Sequence, residues 1–306
     1  MDICEHHSQS LIGVHIKACL ESYKRRKYSK KSLESYRNAL NSFERYLAQM
    51  DICRIQDVLP EHLSSYRLAL VERNFADASI DLYLRTVRSF FKYLEESQCI
   101  FTNPAQDLTI PWYQRKLLPV PAEDDMEKVL LQPNTGTPVG IRDRALIETA
   151  YTSGVRRAEL TRLTTFDPDI KQGTLRVKGK GRKERVVPLG KQSVFWLRQY
   201  LEHARPKLAK DLNEHALWIS RQKGKKLGTA GIALLIHKYG RAAGLSRPLS
   251  AHAIRRACVT HMLRNGAHPV EIQMLLGHSN LKSLSQYLRV TITDLIKMHK
   301  RSKPGR

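Results

Sequence analysis

Apolar residues recur every three or four positions along most of the chain, and this spacing predicts a mainly helical protein. Residues 8 to 97 contain four such patterns. The second is the clearest, because Ser29 precedes it in an N-cap position and its apolar positions are Leu33, Tyr36, Leu40, Phe43 and Leu47. The first pattern is looser, and its apolar positions are Leu11, Val14, Ala18 and Tyr23.

Four prolines interrupt the periodicity between residues 98 and 121, and we interpret this segment as an interdomain linker. A second domain is expected over residues 122–300. Within it, 174–179 and 184–188 are typical of two strands joined by a basic, glycine-bearing turn. The expected architecture is therefore a helical N-terminal domain at 8–97, the linker at 98–121 and an α+β domain with a small β-sheet.

Residues 249–290 contain two further helical patterns separated by Gly266 and Pro269. The first has an apolar face and an opposite basic face; the apolar positions are Ile254, Cys258, His261 and Met262, and the basic ones are Arg255, Arg256 and Arg264. The second closes on Gly277 as a C-terminal cap, and its expected buried positions are Val270, Ile272, Leu275 and Leu276.

Four polar side chains stand at or near the ends of these helices: His252, Arg255, His278 and Tyr287. Arginine binds phosphate oxygens in a bidentate manner, histidine can hold or move a proton near neutral pH, and tyrosine can form a covalent intermediate. No carboxylate accompanies the four. The set therefore favours an anionic substrate over a metal ion.

The charge of the chain points to the same kind of substrate. Lys and Arg number 52 against 29 Asp and Glu, a formal net charge of +23, which favours a polyanion partner such as nucleic acid. There is no apolar run of about 18 residues and no signal-peptide pattern at the N-terminus. Five irregularly spaced cysteines indicate reduced thiols without a structural metal. A cytoplasmic, nucleoid-associated protein that contacts no membrane is expected.

These motifs together resemble the tyrosine recombinase (phage integrase) family, and within it Xer-type recombinases most of all. The matching segments are His252-Ala-Ile-Arg255, Leu276-Gly277-His278 and Tyr287 nine residues later. Two further pieces lie upstream. Gly154-Val-Arg156-Arg-Ala-Glu159-Leu resembles the family's first signature, and Gly179-Lys180-Gly181 occupies the turn where the family has its lysine.

The resemblance implies a set of roles. Tyr287 would attack the scissile phosphate and form a 3′-phosphotyrosine. Lys180 would be the general acid, with Lys183 as the alternative. The other implied catalytic residues are Arg156, His252, Arg255 and His278, with Glu159 as a supporting carboxylate. No ATP, metal or other cofactor would be needed.

The resemblance also implies a helical core-binding domain of the SAM-like kind, a catalytic domain, double-stranded DNA as substrate and a tetramer acting on two DNA sites. A partner recombinase or accessory protein is left open, and the last helix could dock in cis or in trans. Candidate phosphate contacts in the two domains are Arg85, Arg88, Lys92, Lys223 and Lys225. Each could equally be part of a solvated basic surface.

Two positions depart from the family pattern. Arg256 stands where histidine is common, and Leu284 stands where small hydroxyl residues are usual. Two alternatives to an active recombinase remain from the sequence: a DNA-binding relative that has lost catalysis, and a topoisomerase of the type IB kind. The six matching site positions count against the first. The short linker and the Xer-like second domain favour recombination over the second.

Overall fold

The computed structural model describes residues 11–110, 119–179, 184–211 and 213–277. Lys180, Lys183, His278, Leu284 and Tyr287 lie outside this part. The chain divides into two compact units, Met1–Lys116 and Leu117–Arg306. Among the described residues, no helix is both long and apolar enough to span a bilayer.

Over residues 11–110 the first unit forms four α-helices, as the periodicity predicts: α1 Leu11–Arg25, α2 Lys30–Ala48, α3 Pro60–Glu72 and α4 Asp77–Glu96. A short 3₁₀ turn, Ile55–Asp57, precedes α3. The Ser29 hydroxyl accepts a hydrogen bond from the Ser32 amide at 3.1 Å, which confirms the predicted cap of α2. Aromatic side chains fill the core, where Phe43 packs edge-on against Tyr66 and Phe91.

The buried face of α1 differs from the expected one. Leu11 and Val14 are more than half exposed. The buried positions are Ile12, Ile16, Cys19, Leu20 and Tyr23. This second stripe has larger side chains at continuous i, i+4, i+7 and i+8 spacing, so packing against the other helices selects it over the shorter one.

The second unit surrounds a buried helix with shorter helices and one small sheet. Its first elements are α5 Glu123–Leu131, α6 Pro138–Ser153, α7 Arg157–Arg162, β1 Pro168–Asp169, β2 Thr174–Lys178 and β3 Glu184–Pro188. The strands are antiparallel in the order β1-β2-β3. The β2–β3 hairpin was predicted, whereas the two-residue β1 is too short to leave a periodic pattern.

The remaining elements complete the core of this unit: α8 Lys191–Gln199, a π-turn Tyr200–Ala204, α9 Arg205–Leu208, α10 Thr229–Ala242, α11 Ala251–Arg264 and α12 Pro269–Leu276. Helix α6 is buried on several sides, and it ends on Gly154 with φ of +58°. Helix α12 ends on Gly277 with φ of +62°, as expected of a left-handed C-terminal cap.

Two expectations about α11 and α12 are wrong. Arg255 was placed on the polar face of α11, but only 3% of it is exposed. Val270 was placed on the buried face of α12, but it is 47% exposed. An arginine can be buried where acceptors surround it, and Val270 lies in the first turn of a short helix, at the edge of its contact with the core.

Candidate active site

Arg156 is positioned by the helix that it precedes. It is the N-cap residue of α7 and follows Val155, which comes directly after Gly154 in the left-handed conformation. The carboxylate of Glu159 accepts a hydrogen bond from the Arg156 amide at 2.8 Å and another from its guanidinium Nη1 at 3.1 Å. One buried carboxylate therefore caps the helix and also orients the arginine side chain. The Arg156 side chain is still 46% exposed, so part of it faces solvent.

Arg255 is held by two backbone carbonyls from other segments. It lies in the first turns of α11, where the Ser250 hydroxyl caps the helix by accepting from the Ala253 amide at 3.1 Å. Its guanidinium donates to the carbonyl of Gly154 and, at 3.3 Å, to the carbonyl of Leu276. These acceptors offset the cost of burying the charged group.

The two arginines converge on one atom. Arg156 Nη1 lies 3.5 Å from the carbonyl oxygen of Leu276, the same oxygen that accepts from Arg255 Nη2. Leu276 is the last residue of α12, and Gly277 follows it in the left-handed conformation. The structure thus brings Arg156, Arg255 and the end of α12 together. His278 is the next residue of the chain, outside the described part.

His252 lies in the first turn of α11, three residues before Arg255. Its side chain is exposed on one side, yet partial burial lowers its pKa, and the positive charges of Arg256, Arg255 and Arg156 lower it further. Since the ordinary pKa of an imidazole, about 6.5, already lies below 7, a lowered pKa favours the neutral form of His252 at pH 7. A neutral imidazole can accept a proton through one ring nitrogen and donate through the other.

Arg185 belongs to this site and was missed from the sequence. Its guanidinium donates to both oxygens of Glu159, at 3.1 and 2.9 Å, and its Nε donates to the carbonyl of Leu275 at 2.9 Å. The alternation in β3 could have shown it, because Arg185 and the buried Val187 share one face of the strand. An inward-facing arginine on a strand needs a carboxylate or carbonyl partner.

The charge state of Glu159 follows from these contacts. Burial alone would raise its pKa. Hydrogen bonds from Arg185 and from the Arg156 amide, together with the two positive charges, outweigh burial and leave the pKa below its ordinary value. Glu159 is therefore ionised in the folded protein across the neutral range. It holds both arginines at once.

Replacing Glu159 by glutamine is expected to destabilise the second unit by about 3 kcal/mol near pH 7, because Arg185 would lose its charged partner in a largely buried position. The folded-state pKa is lowered, so the stabilising effect of the carboxylate is present above the unfolded value of about 4.3 and is lost as pH falls through the lower folded value. Urea denaturation of wild type and variant at several pH values measures this difference.

The matched control is Glu184→Gln. Glu184 is exposed and lies 3.9 Å from Lys178, so its loss should change the free energy of unfolding by less than about 0.5 kcal/mol. A difference between wild type and Glu159→Gln that stays constant down to pH 3 would contradict the assignment of the ionised form.

The basic residues proposed to contact DNA are exposed, but several have partners within the protein. In α4, Arg85 pairs with Asp81 at 2.7 Å, Lys92 lies 3.9 Å from Glu96, and Arg88 donates to the carbonyl of Leu108. In the second unit, Lys223 and Lys225 flank Gly224, which has φ of +61° in a tight turn. Exposure is compatible with phosphate binding, and the exposed ion pairs of Arg85 and Lys92 are of a kind that contributes little to stability.

Two family models together cover most of the chain. The model described as phage integrase family matches residues 121–293, and the one described as phage integrase, N-terminal SAM-like domain matches residues 18–98. The chain belongs to the phage integrase family. This confirms the predicted family and fold, and with them the predicted activity, site-specific tyrosine recombination.

Sequence relatives agree with this family assignment, and a solved structure agrees with the fold. The chain is 34% identical to a tyrosine recombinase XerD of Pseudomonas putida, over 88% of this chain and 90% of that one, and 34% identical to a tyrosine recombinase XerC of Pelotomaculum thermopropionicum, over 90% and 93%. Its fold is similar to that of a lambda integrase dimer bound to a COC′ core site, with TM-score 0.71, 17% identity and coverage of 90% and 94%.

Proposed function

We propose that this protein cuts and rejoins double-stranded DNA at specific sites through a 3′-phosphotyrosine formed on Tyr287. The observation that carries the proposal is the convergence of Arg156 and Arg255 on the Leu276 carbonyl, next to the turn that leads to His278. Two guanidinium donors from separate segments that meet at one point are suited to the stabilisation of a phosphoryl group. Tyr287 follows His278 by nine residues, which is the spacing that the family resemblance implies for the nucleophile.

In the cleavage step, the phenol oxygen of Tyr287 forms a bond to phosphorus while the bond from phosphorus to the 5′ oxygen breaks. The phenol proton passes to a neighbouring base, for which neutral His252 is suited. Lys180 protonates the departing 5′ oxygen. Arg156, Arg255 and His278 donate hydrogen bonds to the non-bridging oxygens, where negative charge accumulates.

In the rejoining step, a 5′-hydroxyl from a partner strand attacks the phosphotyrosine and releases Tyr287. One phosphodiester is broken and one is made, so the exchange needs no ATP. Guanidinium and imidazole donors supply the charge stabilisation that a metal ion gives in other phosphoryl transfers, and the proposed chemistry therefore runs without a metal.

The proposed assembly is a tetramer on two DNA sites. A solved relative in fold is a lambda integrase tetramer bound to a Holliday junction, at TM-score 0.70 and 17% identity. We place the reaction at bacterial DNA in the cytoplasm, as integration, excision or resolution of a DNA element. The domain limits proposed for it are a core-binding domain at 8–97, a linker at 98–121 and a catalytic domain at 122–300.

Trapping of the covalent intermediate tests the proposal. Duplexes from the DNA flanking the encoding locus are each nicked close to the scissile position, so that cleavage releases a short strand and blocks rejoining. We expect an SDS-resistant protein–DNA adduct with one duplex, and mass spectrometry should locate the nucleotide on Tyr287. Stable binding to a duplex without any adduct would instead support a catalytically silent relative. Sequence-independent relaxation of supercoiled plasmid would support a topoisomerase.

The proposed DNA face of α4 has its own expected result. Replacing Lys92 by glutamine should reduce the slope of log affinity against log salt concentration by about one, since each phosphate contact releases about one counterion. Filter binding or fluorescence anisotropy over a salt series measures the slope. Lys92→Arg keeps the charge and should keep the slope. An unchanged slope in Lys92→Gln would show that Lys92 only pairs with Glu96.

A further inference from the structure

Three nitrogens of Arg185 donate hydrogen bonds to acceptors on two different segments. Two bind Glu159 side by side, and Nε binds the Leu275 carbonyl near the end of α12. Only 14% of its side chain is exposed. A bidentate pair with a buried carboxylate fixes both groups in orientation as well as in distance.

The same side chain lies against the turn that follows α12. A Cβ added at Gly277 would lie 3.0 Å from Arg185 Cδ and 3.3 Å from its Nε. Gly277 adopts φ of +62°, so both its conformation and its close approach to Arg185 favour glycine. Arg185 thus packs beneath the residue that precedes His278.

Arg185 also belongs to β3, the strand that follows residues 180–183 in the sequence. It pairs with Val177 in the β2–β3 register, and the next pair outward, Lys178 with Glu184, is the last before residues 180–183. The Arg185 side chain therefore contacts the carboxylate that orients Arg156 and the end of α12, and its backbone belongs to the strand that begins one residue after Lys183 in the sequence.

We infer that Arg185 is a positioning residue for phosphate activation, which acts by fixing Glu159 and through it the guanidinium of Arg156. The inference rests on the proposed function, because it concerns the geometry of the same site. Arg185 itself is turned towards Glu159 and Leu275, so it acts through Arg156. A purely structural ion pair is the competing interpretation.

Lysine cannot replace this arrangement. Its ammonium is a point charge without the planar fork that matches a carboxylate, and it cannot also bind the Leu275 carbonyl in the same geometry. Arg185→Lys keeps the charge next to Glu159 while removing the fixed orientation. Arg185→Met removes both.

The test compares these two variants with Arg176→Met. Arg176 lies on the neighbouring strand, pairs with Asp167 at 3.3 Å and has a side chain that is 44% exposed, so it controls for loss of an arginine ion pair in the same sheet. Each protein is bound to the nicked duplex that gives the wild-type adduct, and the single-turnover rate of adduct formation is measured. Affinity for the intact duplex and the midpoint of urea denaturation are measured in parallel.

We expect Arg185→Met to form adduct about 100-fold more slowly, as for a catalytic group displaced by about 1 Å, and Arg185→Lys to lie between it and wild type. DNA affinity should stay at the wild-type level, and Arg176→Met should cleave at the wild-type rate. Cleavage at the wild-type rate by both Arg185 variants would overturn the inference. If Arg185→Met does not fold, Arg185→Lys alone decides the question.

Two further measurements identify the route of the effect. In an Arg156→Lys background, Arg185→Lys should slow cleavage little further, because both changes disturb the same group of contacts around Glu159. A double variant slowed by the product of the two single effects would overturn the inference.

A second substrate has sulfur at the 5′-bridging position, so that its leaving group needs no proton. The defect should persist with this substrate, and full rescue would mean that Arg185 acts on Lys180 instead. Failure of wild type to form any adduct would reject the proposed function, separately from Arg185.

Discussion

In a Tyr287→Phe variant, covalent protein–DNA adduct is expected to fall to background, while non-covalent binding to the same duplex is retained. The phenyl ring keeps the size and apolar surface of tyrosine but has no oxygen to attack phosphorus. The expected loss is therefore complete, unlike the partial losses expected from the surrounding donors. SDS gel analysis of the nicked duplex, labelled on the strand that stays attached, measures the adduct.

Tyr151→Phe is the control for loss of a tyrosine hydroxyl in the same unit. The Tyr151 hydroxyl bonds His261 Nδ1 at 2.8 Å, and this contact is not part of the proposed chemistry. The control should form adduct at the wild-type rate. Adduct in Tyr287→Phe at wild-type yield would show that another residue is the nucleophile, and peptide mapping of that adduct would identify it.

The helices of the site were predictable because their apolar periodicity and their caps are local. Gly154 and Gly277 both end helices in the left-handed conformation, as a glycine after an apolar stripe indicates. The predicted face of α1 is wrong because two apolar stripes overlap along that helix, and the stripe with the larger side chains at continuous spacing is the one that packs. Periodicity thus predicts the presence of a helix more reliably than it predicts which face of that helix is buried.

Two arginines show where sequence reasoning stops within the site. A helical pattern counts Arg255 as polar and therefore exposed, yet the carbonyls of Gly154 and Leu276, distant in sequence, give it acceptors in the interior. Arg185 lacked a family motif to draw attention to it, and its partner Glu159 lies on another element. The alternation in β3 indicates that Arg185 faces inward, but only the folded chain reveals which carboxylate and carbonyl it contacts.

The Glu159 carboxylate links these observations into one physical arrangement. It accepts hydrogen bonds from the Arg156 amide, the Arg156 guanidinium and the Arg185 guanidinium. Arg255 is independently anchored by carbonyls. Within the described part of the site, the two arginines are therefore held by contacts inside the protein, and donors fixed in this way do not have to reorient as charge builds on the phosphoryl oxygens. Loss of the Glu159 carboxylate or of the Arg185 guanidinium should lower the rate of cleavage more than the affinity for DNA.

Replacing Arg255 by glutamine is accordingly expected to slow adduct formation by about 10²- to 10³-fold, the usual effect of removing one preorganised donor. The amide has fewer donors and no charge, so it cannot match a bidentate guanidinium at a phosphate. Single-turnover cleavage of the nicked duplex, at protein concentrations that saturate it, separates this effect from binding. The affinity measured by anisotropy should fall far less than the rate.

Stability must be followed in the same variant, because Arg255 is buried. The Gly154 carbonyl would lose the Arg255 donor and the Leu276 carbonyl would keep only the longer contact from Arg156, at a cost of about 1–3 kcal/mol to the free energy of unfolding. Arg264→Gln is the matched control, since Arg264 is an exposed arginine in the last turn of the same helix. It should leave both rate and stability near wild type. If Arg255→Gln remains folded and cleaves as fast as the control, the convergence of the two arginines has no catalytic role.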